Sequence, residues 1–172
     1  MPRTPSDAEF TEFVHASWAS LYRTAYLMLG DRGEAEDLVQ TTLAKTYASW
    51  SKVRAVEAAP AYARTVLVNT ASSWFRKKSW RNERPTETLP DHHHESDLTN
   101  RPALIDALAQ LPPRQRAVIV LRYYEDLSVA QAASALGCSE GTVKSQTSDA
   151  LGRLRGLLGD AVIPLELGVR HD

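Results

Sequence analysis

A chain of 172 residues holds one medium domain or two small ones, and its 43% hydrophobic and 24% charged residues mark a folded rather than a disordered protein. No apolar run approaches the ~20 residues of a membrane helix, the N-terminus Met1-Pro2-Arg3-Thr4-Pro5-Ser6-Asp7 lacks the apolar stretch of a secretory signal, and the single Cys138 excludes an intrachain disulfide or a cysteine-cluster zinc site; the cytoplasm is the expected compartment. The formal net charge of -1 looks unsuited to a nucleic-acid binder, yet it averages over two segregated stretches.

Ser6-Asp7-Ala8-Glu9 has the form of a capping box, so a helix is expected to begin there. Phe10, Phe13, Val14, Leu21, Tyr22 and Ala25 then recur at helical spacing until Gly30-Asp31 interrupts the pattern. Ala35, Leu38, Val39, Leu43, Tyr47 and Trp50 make a second stripe, and Tyr62, Val66, Ala71, Trp74 and Phe75 a third, on a helix opening near Pro60. Together these predict a bundle of three or four helices in a domain spanning 6–81. Its third helix belongs to the basic stretch: between Ala61 and Arg84, Arg64, Arg76, Lys77, Lys78, Arg81 and Arg84 face Glu83 alone. Cations interleaved with Trp74, Phe75 and Trp80 suit a nucleic-acid strand that is opening, although core packing is the better account of Trp74.

From 82 to 101 the apolar periodicity disappears into NERPTETLPDHHHESDLTN, which reads as a linker. The charge reverses: between Pro85 and Asp106, Glu87, Asp91, Glu95, Asp97 and Asp106 face only Arg101. His92-His93-His94, between Asp91 and Glu95, has metal-binding chemistry, but adjacent histidines on a flexible segment lack fixed geometry and no metal site is assigned.

Helical pattern resumes over Pro102 to Gln110 and Pro112 to Tyr124, then in two further helices over Ser128 to Leu136 and Ser139 to Leu158. This second domain spans 102–158, with a tail over 159–172. No segment alternates with period two, so the expected fold is all-α, two small helical domains joined by a flexible acidic linker. In DLSVAQAASALGCSEGTVKSQTSDALGRLR, Ser128 with Gln131 makes a second capping box, small Ala133 and the Gly137 turn allow close approach, and Val143 faces inward with Thr147, Ala150, Leu151, Leu154 and Leu158. That is the spacing of a helix-turn-helix, whose second helix enters the major groove. Thr142, Lys144, Ser145, Gln146, Ser148 and Asp149 are its outward candidates for DNA contact, with Lys144 the best suited to phosphate. Arg153 and Arg155 suit either backbone contact or plain solvation, and Cys138 in the turn reads as a small buried apolar group.

Three function classes remain to be weighed. An enzyme is poorly supported, because acidic pairs such as Glu36-Asp37 and Glu125-Asp126 are sequence neighbours on different helix faces, and no nucleophile motif, phosphate loop or metal-ligand set occurs. A conventional helix-turn-helix regulator would bind DNA alone, as a dimer, with the N-terminal bundle sensing a ligand.

The third class comes from a resemblance. LPPRQRAVIVLRYYEDLSVAQAASALGCSEGTVKSQTSDALGRLR, Leu111 to Arg155, resembles the promoter-recognising C-terminal domain of extracytoplasmic-function sigma factors, in a short form common in actinobacteria. AEDLVQTTLAKTYASW, Ala35 to Trp50, resembles the family helix that docks on RNA polymerase, and AYARTVLVNTASSWFRKKSWR, Ala61 to Arg81, resembles the segment that binds the minus-ten element. The resemblance implies a non-enzymatic factor that brings core RNA polymerase to promoter DNA. Asp37, Gln40, Thr41 and Lys45 would meet polymerase; Arg64, Asn69, Arg76, Lys77, Lys78, Trp80 and Arg81 the minus-ten element; the second helix of the helix-turn-helix the minus-thirty-five element. It further implies a pocket for an unstacked base at the loop Ser51 to Ala59, and a linker running through polymerase toward the RNA exit path. An anti-sigma factor is a partner it allows; no cofactor, membrane or small-molecule substrate is expected. Two positions depart from the family: Thr41, where an acidic residue often follows the glutamine, and Asp149, at a commonly basic position. A carboxylate at 149 implies either an unusual minus-thirty-five specificity or a rotated helix.

Overall fold

The computed structural model describes residues 3–80 and 102–159; the linker 82–101 with its histidine run, Arg81 and the tail 160–172 lie outside the described residues. Helix α1, Asp7–Leu29, opens on the expected capping box, in which Ser6 Oγ accepts from the Glu9 amide at 3.3 Å while the Glu9 carboxylate accepts from the Ser6 amide at 2.7 Å. It ends at Gly30, whose φ of 73° is left-handed and costs a residue without Cβ nothing. Asp31 then caps α2, Arg32–Ala48, by accepting from the Glu34 amide at 2.8 Å. Two 3-10 turns, Trp50–Lys52 and Val56–Ala58, lead into α3, Ala59–Trp80.

Trp50 is not on the α2 stripe where its spacing put it. It stands in the first 3-10 turn, buried against Phe10 and Phe13, and its indole N–H donates to the Ser6 carbonyl at 3.0 Å. The tryptophan therefore ties the end of α2 to the start of α1, satisfying its polar atom on the second lone pair of a carbonyl that also accepts from the Phe10 amide at 3.1 Å. Tyr47 and Tyr62, both assigned to inward stripes, are 49% and 39% exposed, because the small Thr46 and Ala63 beside them turn into the core instead.

The C-terminal unit is built from α4, Pro102–Gln110; α5, Pro113–Ile119; a π-helical turn, Val120–Tyr124; α6, Val129–Leu136; and α7, Glu140–Leu158. In the wide turn the Glu125 amide reaches back five residues to the Val120 carbonyl at 2.9 Å, and Asp126 follows at a φ of 55°. Ser128 and Gln131 form the second capping box, Gly137 at φ 65° stops α6, and Ser139 caps α7. All described regular structure is helical, as expected, and no described helix is long and apolar enough to cross a membrane.

The two helical units do not stand apart. Ala117, Val118, Leu121, Ala132, Leu136 and Val143 join the same buried apolar cluster as Leu21, Met28, Leu38 and Leu67 of the bundle. A second cluster, with Leu108, Ile119, Ala150 and Leu154, lies inside the C-terminal unit, and Leu27 of α1 packs against it. Helix α1 is thus shared, facing α2 and α3 on one side and the C-terminal unit on the other. Helical periodicity identifies the inward face of α5 but not which element covers it.

One cation closes the joint. The Arg116 guanidinium donates to the carbonyls of Leu108 at 2.9 Å and of Ala109, Leu111 and Met28 at 3.2 Å each, so the carbonyl ends of α4 and α1 converge on one positive charge. Burial pushes its pKa below the ordinary arginine value, with Glu34 opposing the shift, and the group stays protonated. Arg116→Met keeps the apolar stem and leaves four carbonyls without that donor, so it should lower stability by about 2–4 kcal/mol. A urea unfolding midpoint equal to that of the unsubstituted chain would show that the carbonyls find other partners.

Candidate functional site

Three surfaces carry the residues singled out from sequence. The first is the helix-turn-helix. Val143, Ala150 and Leu154 bury one face of α7, with Thr147, Leu151 and Leu158 half-buried beside them. Lys144, Ser145, Ser148 and Asp149 project into solvent as expected, whereas Thr142 and Gln146 are half-buried. Thr142 is engaged locally, since its amide donates to Ser139 Oγ at 3.1 Å and the two hydroxyls share a hydrogen bond at 2.9 Å. Asp149 is exposed one turn after Ser145.

Beside α7 lies an open groove of about 310 Å³ lined by Arg122, Val129, Lys144, Ser148, Leu151 and Arg155, among others. Arg122 was not picked out from sequence. It comes to the groove because the π-helical turn swings it there, with one N–H donating to the Leu127 carbonyl at 2.7 Å, and no local pattern announces that turn. Cys138, expected to be buried, is half-buried against the apolar cluster.

The second surface is a groove of about 430 Å³ between α2 and α3, lined by Lys45 and Ser49 on one wall and Tyr62, Val66, Asn69 and Thr70 on the other. The Lys45 ammonium donates to Thr70 Oγ1 at 3.1 Å, so its tip leans toward α3, while the residue stays exposed one turn after Thr41. Asp37 and Gln40 of that row are exposed and Thr41 is half-buried. The loop 51–59 borders this end of the bundle as two 3-10 turns, but the open volume lies between the helices.

The third surface is the far side of α3. Arg64 and Asn69, expected to act together, lie about 140° apart around the helix axis, since five residues at 100° each separate them. Asn69 opens into the groove, while Arg64 turns to the C-terminal unit and pairs with Glu125 at 3.3 Å. The Arg76 guanidinium lies beside the Gly137 turn, Lys77 is exposed, and Trp74 packs on the core. Lys78 and Trp80 belong to the last turn of α3. The basic residues of α3 therefore do not line the groove, where Asn69 stands: Arg64 and Arg76 face the C-terminal unit and Lys77 is exposed. Among the described residues no three His, Cys, Asp or Glu side chains gather as a metal site.

Comparison with known proteins covers both units in order. Residues 14–81 match the family signature described as "Sigma-70 region 2", and residues 101–154 that described as "Sigma-70, region 4". The chain is 43% identical over 150 residues to the RNA polymerase sigma-E factor of Streptomyces antibioticus, an alignment that takes in 86% of this chain and 83% of that one. It is 36% identical over 149 residues to the ECF RNA polymerase sigma factor SigL of Mycobacterium tuberculosis, covering 80% and 81%. Among solved structures, the sigma factor RpoE from Bartonella quintana, in complex with the anti-sigma factor NepR, superposes with a TM-score of 0.63 at 28% identity, over 88% of this chain and 98% of that one.

The ordering of the first turn of α7 depends on one hydroxyl. Ser139→Ala removes the acceptor for the Thr142 amide, so stability should fall by about 1 kcal/mol and the Thr142 amide should exchange with solvent faster. Unchanged exchange at Thr142 would mean that another group caps the helix.

Proposed function

This chain belongs to the sigma-70 family of RNA polymerase sigma factors, in its extracytoplasmic-function branch, and from that premise we propose how its surfaces share the work of promoter-directed initiation. A sigma factor binds RNA polymerase and directs it to promoters, so the residue assignments follow from asking which surface suits which partner. On our reading residues 6–81 dock polymerase and open the minus-ten element, 102–158 read the minus-thirty-five element, and 82–101 join them. The place of action is the cytoplasm, where polymerase and promoter meet.

The α2/α3 groove carries this reading. Its side chains supply what an unstacked base requires: the half-exposed Tyr62 ring offers a face for stacking, Asn69 an amide that both donates and accepts, and Lys45 a cation for the adjoining phosphate. Capture there offsets the cost of unstacking, which is how a protein without a hydrolysis step melts a duplex. Asp37, Gln40 and Thr41 are left as the polymerase-facing row of α2. Lys45, placed with that row by the sequence, fits the minus-ten groove better.

Helix α7 offers Lys144, Ser145, Ser148 and Asp149 to the major groove, with Arg122 and Arg155 beside Lys144 to hold the sugar-phosphate backbone. On our reading Asp149, exposed on α7, offers a carboxylate that can accept from the amino group of cytosine, and an unusual minus-thirty-five preference follows. The Bartonella quintana RpoE is found with an anti-sigma factor, and an inhibitor of that class is a partner open to this chain as well.

Reconstituted run-off transcription tests the whole reading. Core polymerase with this chain should yield discrete transcripts from a subset of promoters, and the chain without polymerase should bind those promoters feebly; stimulation at none of them would refute it. Tyr62→Ala tests the groove. Loss of one stacking platform is worth about 1–3 kcal/mol, so open-complex formation should drop about tenfold while the affinity for core polymerase is kept. An equal loss of core binding would move Tyr62 to the polymerase surface.

A further inference from the structure

We propose that Trp18 is an anchor for core RNA polymerase: with Tyr22 it extends the docking row of α2 onto the edge of α1 and presents an aromatic face to a cationic side chain of the polymerase. The proposal rests on the reading of Asp37 and Gln40 as the polymerase-facing row. Trp18 is 37% exposed, whereas Trp50 is 3% exposed and Trp74 packs on the core. It lies off the inward stripe of α1, which is why helical spacing passes over it. A single exposed apolar side chain is ordinary on a protein surface; the position of this one is not.

That position follows from the register of α1 against α2. The two helices are joined by Gly30 and Asp31 alone and so run antiparallel. At one end the Phe10 and Tyr47 rings lie 4.9 Å apart. At the other, Tyr22 meets the first turns of α2: burial raises its phenol above the ordinary tyrosine value, and the charges of Arg32 and Glu36 act on it as well. Between these two crossings each step back along α1 is matched by a nearly equal step forward along α2. Trp18, one turn before Tyr22, therefore falls beside Gln40, one turn after Glu36. Tyr26, stacked on Tyr22 with ring centroids 6.2 Å apart, continues the same edge. The other side of α1 is occupied, since Thr24 and Leu27 meet the C-terminal unit there.

The row beside Trp18 is shallow and acidic. Gly33, Ala44 and Ala48 recur with Asp37 and Gln40 on the exposed side of α2, and Glu36 and Asp37 are exposed carboxylates. A partner segment can lie close over such small residues, and Trp18 stands at the margin as the bulky side chain that fixes where it lies. Interfaces draw most of their energy from a few residues, among which Trp, Tyr and Arg are enriched. An arginine or lysine of the polymerase that pairs with Glu36 finds the rings of Tyr22 and Trp18 on the same side. The ionic and the cation–π attraction then act on one charge.

The test uses the full chain, with a dye at its N-terminus, titrated with core polymerase and read by anisotropy. Trp18→Ala should weaken binding about tenfold, as for truncating one anchor, while Glu12→Ala, exposed elsewhere on α1, should leave it unchanged. Trp18→Phe should keep most of the affinity and Trp18→Leu should lose it, because only a ring offers a face to a cation. Equal loss in both would overturn the cationic partner. With polymerase saturated by the chain, Trp18→Ala should open promoters as the unsubstituted chain does; a persistent defect would assign Trp18 to DNA and overturn the anchor. Unchanged core affinity in Trp18→Ala where Asp37→Lys loses it would also overturn the anchor but leave the row standing, whereas unchanged affinity in both would overturn the row itself. Sedimentation of the chain without polymerase tests the remaining occupant: a dimer that Trp18→Ala breaks would give this edge to a second copy and overturn the proposal.

Discussion

The carbonyl ends of two helices meet at Arg116, and the arrangement of the whole chain depends on how that meeting is satisfied. Helix ends carry partial negative charge and free acceptors, so bringing the ends of α1 and α4 together without a cation would be unfavourable. A guanidinium answers both needs at once because its planar fork presents several donors and a charge that burial does not remove. Gly30 fits the same constraint: a Cβ at that position would stand 3.1 Å from the Arg116 guanidinium, on a backbone already left-handed. With the end of α1 fixed in this way, α1 can be covered on one side by α2 and α3 and on the other by the C-terminal unit.

Much of this was legible in the sequence where the signal is local. The capping boxes at Ser6 and Ser128, the stops at Gly30 and Gly137 and the inward Val143 depend on neighbours within four residues, and each stands where its pattern put it. What was not legible depends on partners far along the chain. Trp50 satisfies the helical spacing of α2 but leaves the helix to reach a carbonyl 44 residues away. Tyr47 and Tyr62 have the hydropathy of core residues, yet smaller neighbours fill the space they would need. The bond from Lys45 to Thr70, 25 residues along the chain, likewise has no local signal.

The candidate site was legible as a set of residues rather than as an arrangement. The outward residues of α7 follow from helical phase alone, and the structure leaves four of the six fully open. The minus-ten residues of α3 were grouped by composition and resemblance, but a helix separates what lies five residues apart, and Arg64 and Asn69 face different surroundings. Arg122 was missed for a complementary reason: its direction is set by a π-helical turn, a departure from the periodicity by which sequence patterns are recognised.

The net charge of -1 acquires a physical meaning from these pairings. A chain whose cations were all free would be drawn to any duplex, because phosphate attraction is indifferent to sequence. In this chain Arg64 is met by Glu125, α7 exposes Asp149 as well as Lys144, and the Lys45 ammonium rests on Thr70. Non-specific affinity is thereby held down where specificity has to come from polymerase and promoter together. Arg64 faces the C-terminal unit, where the Glu125 carboxylate stands against it.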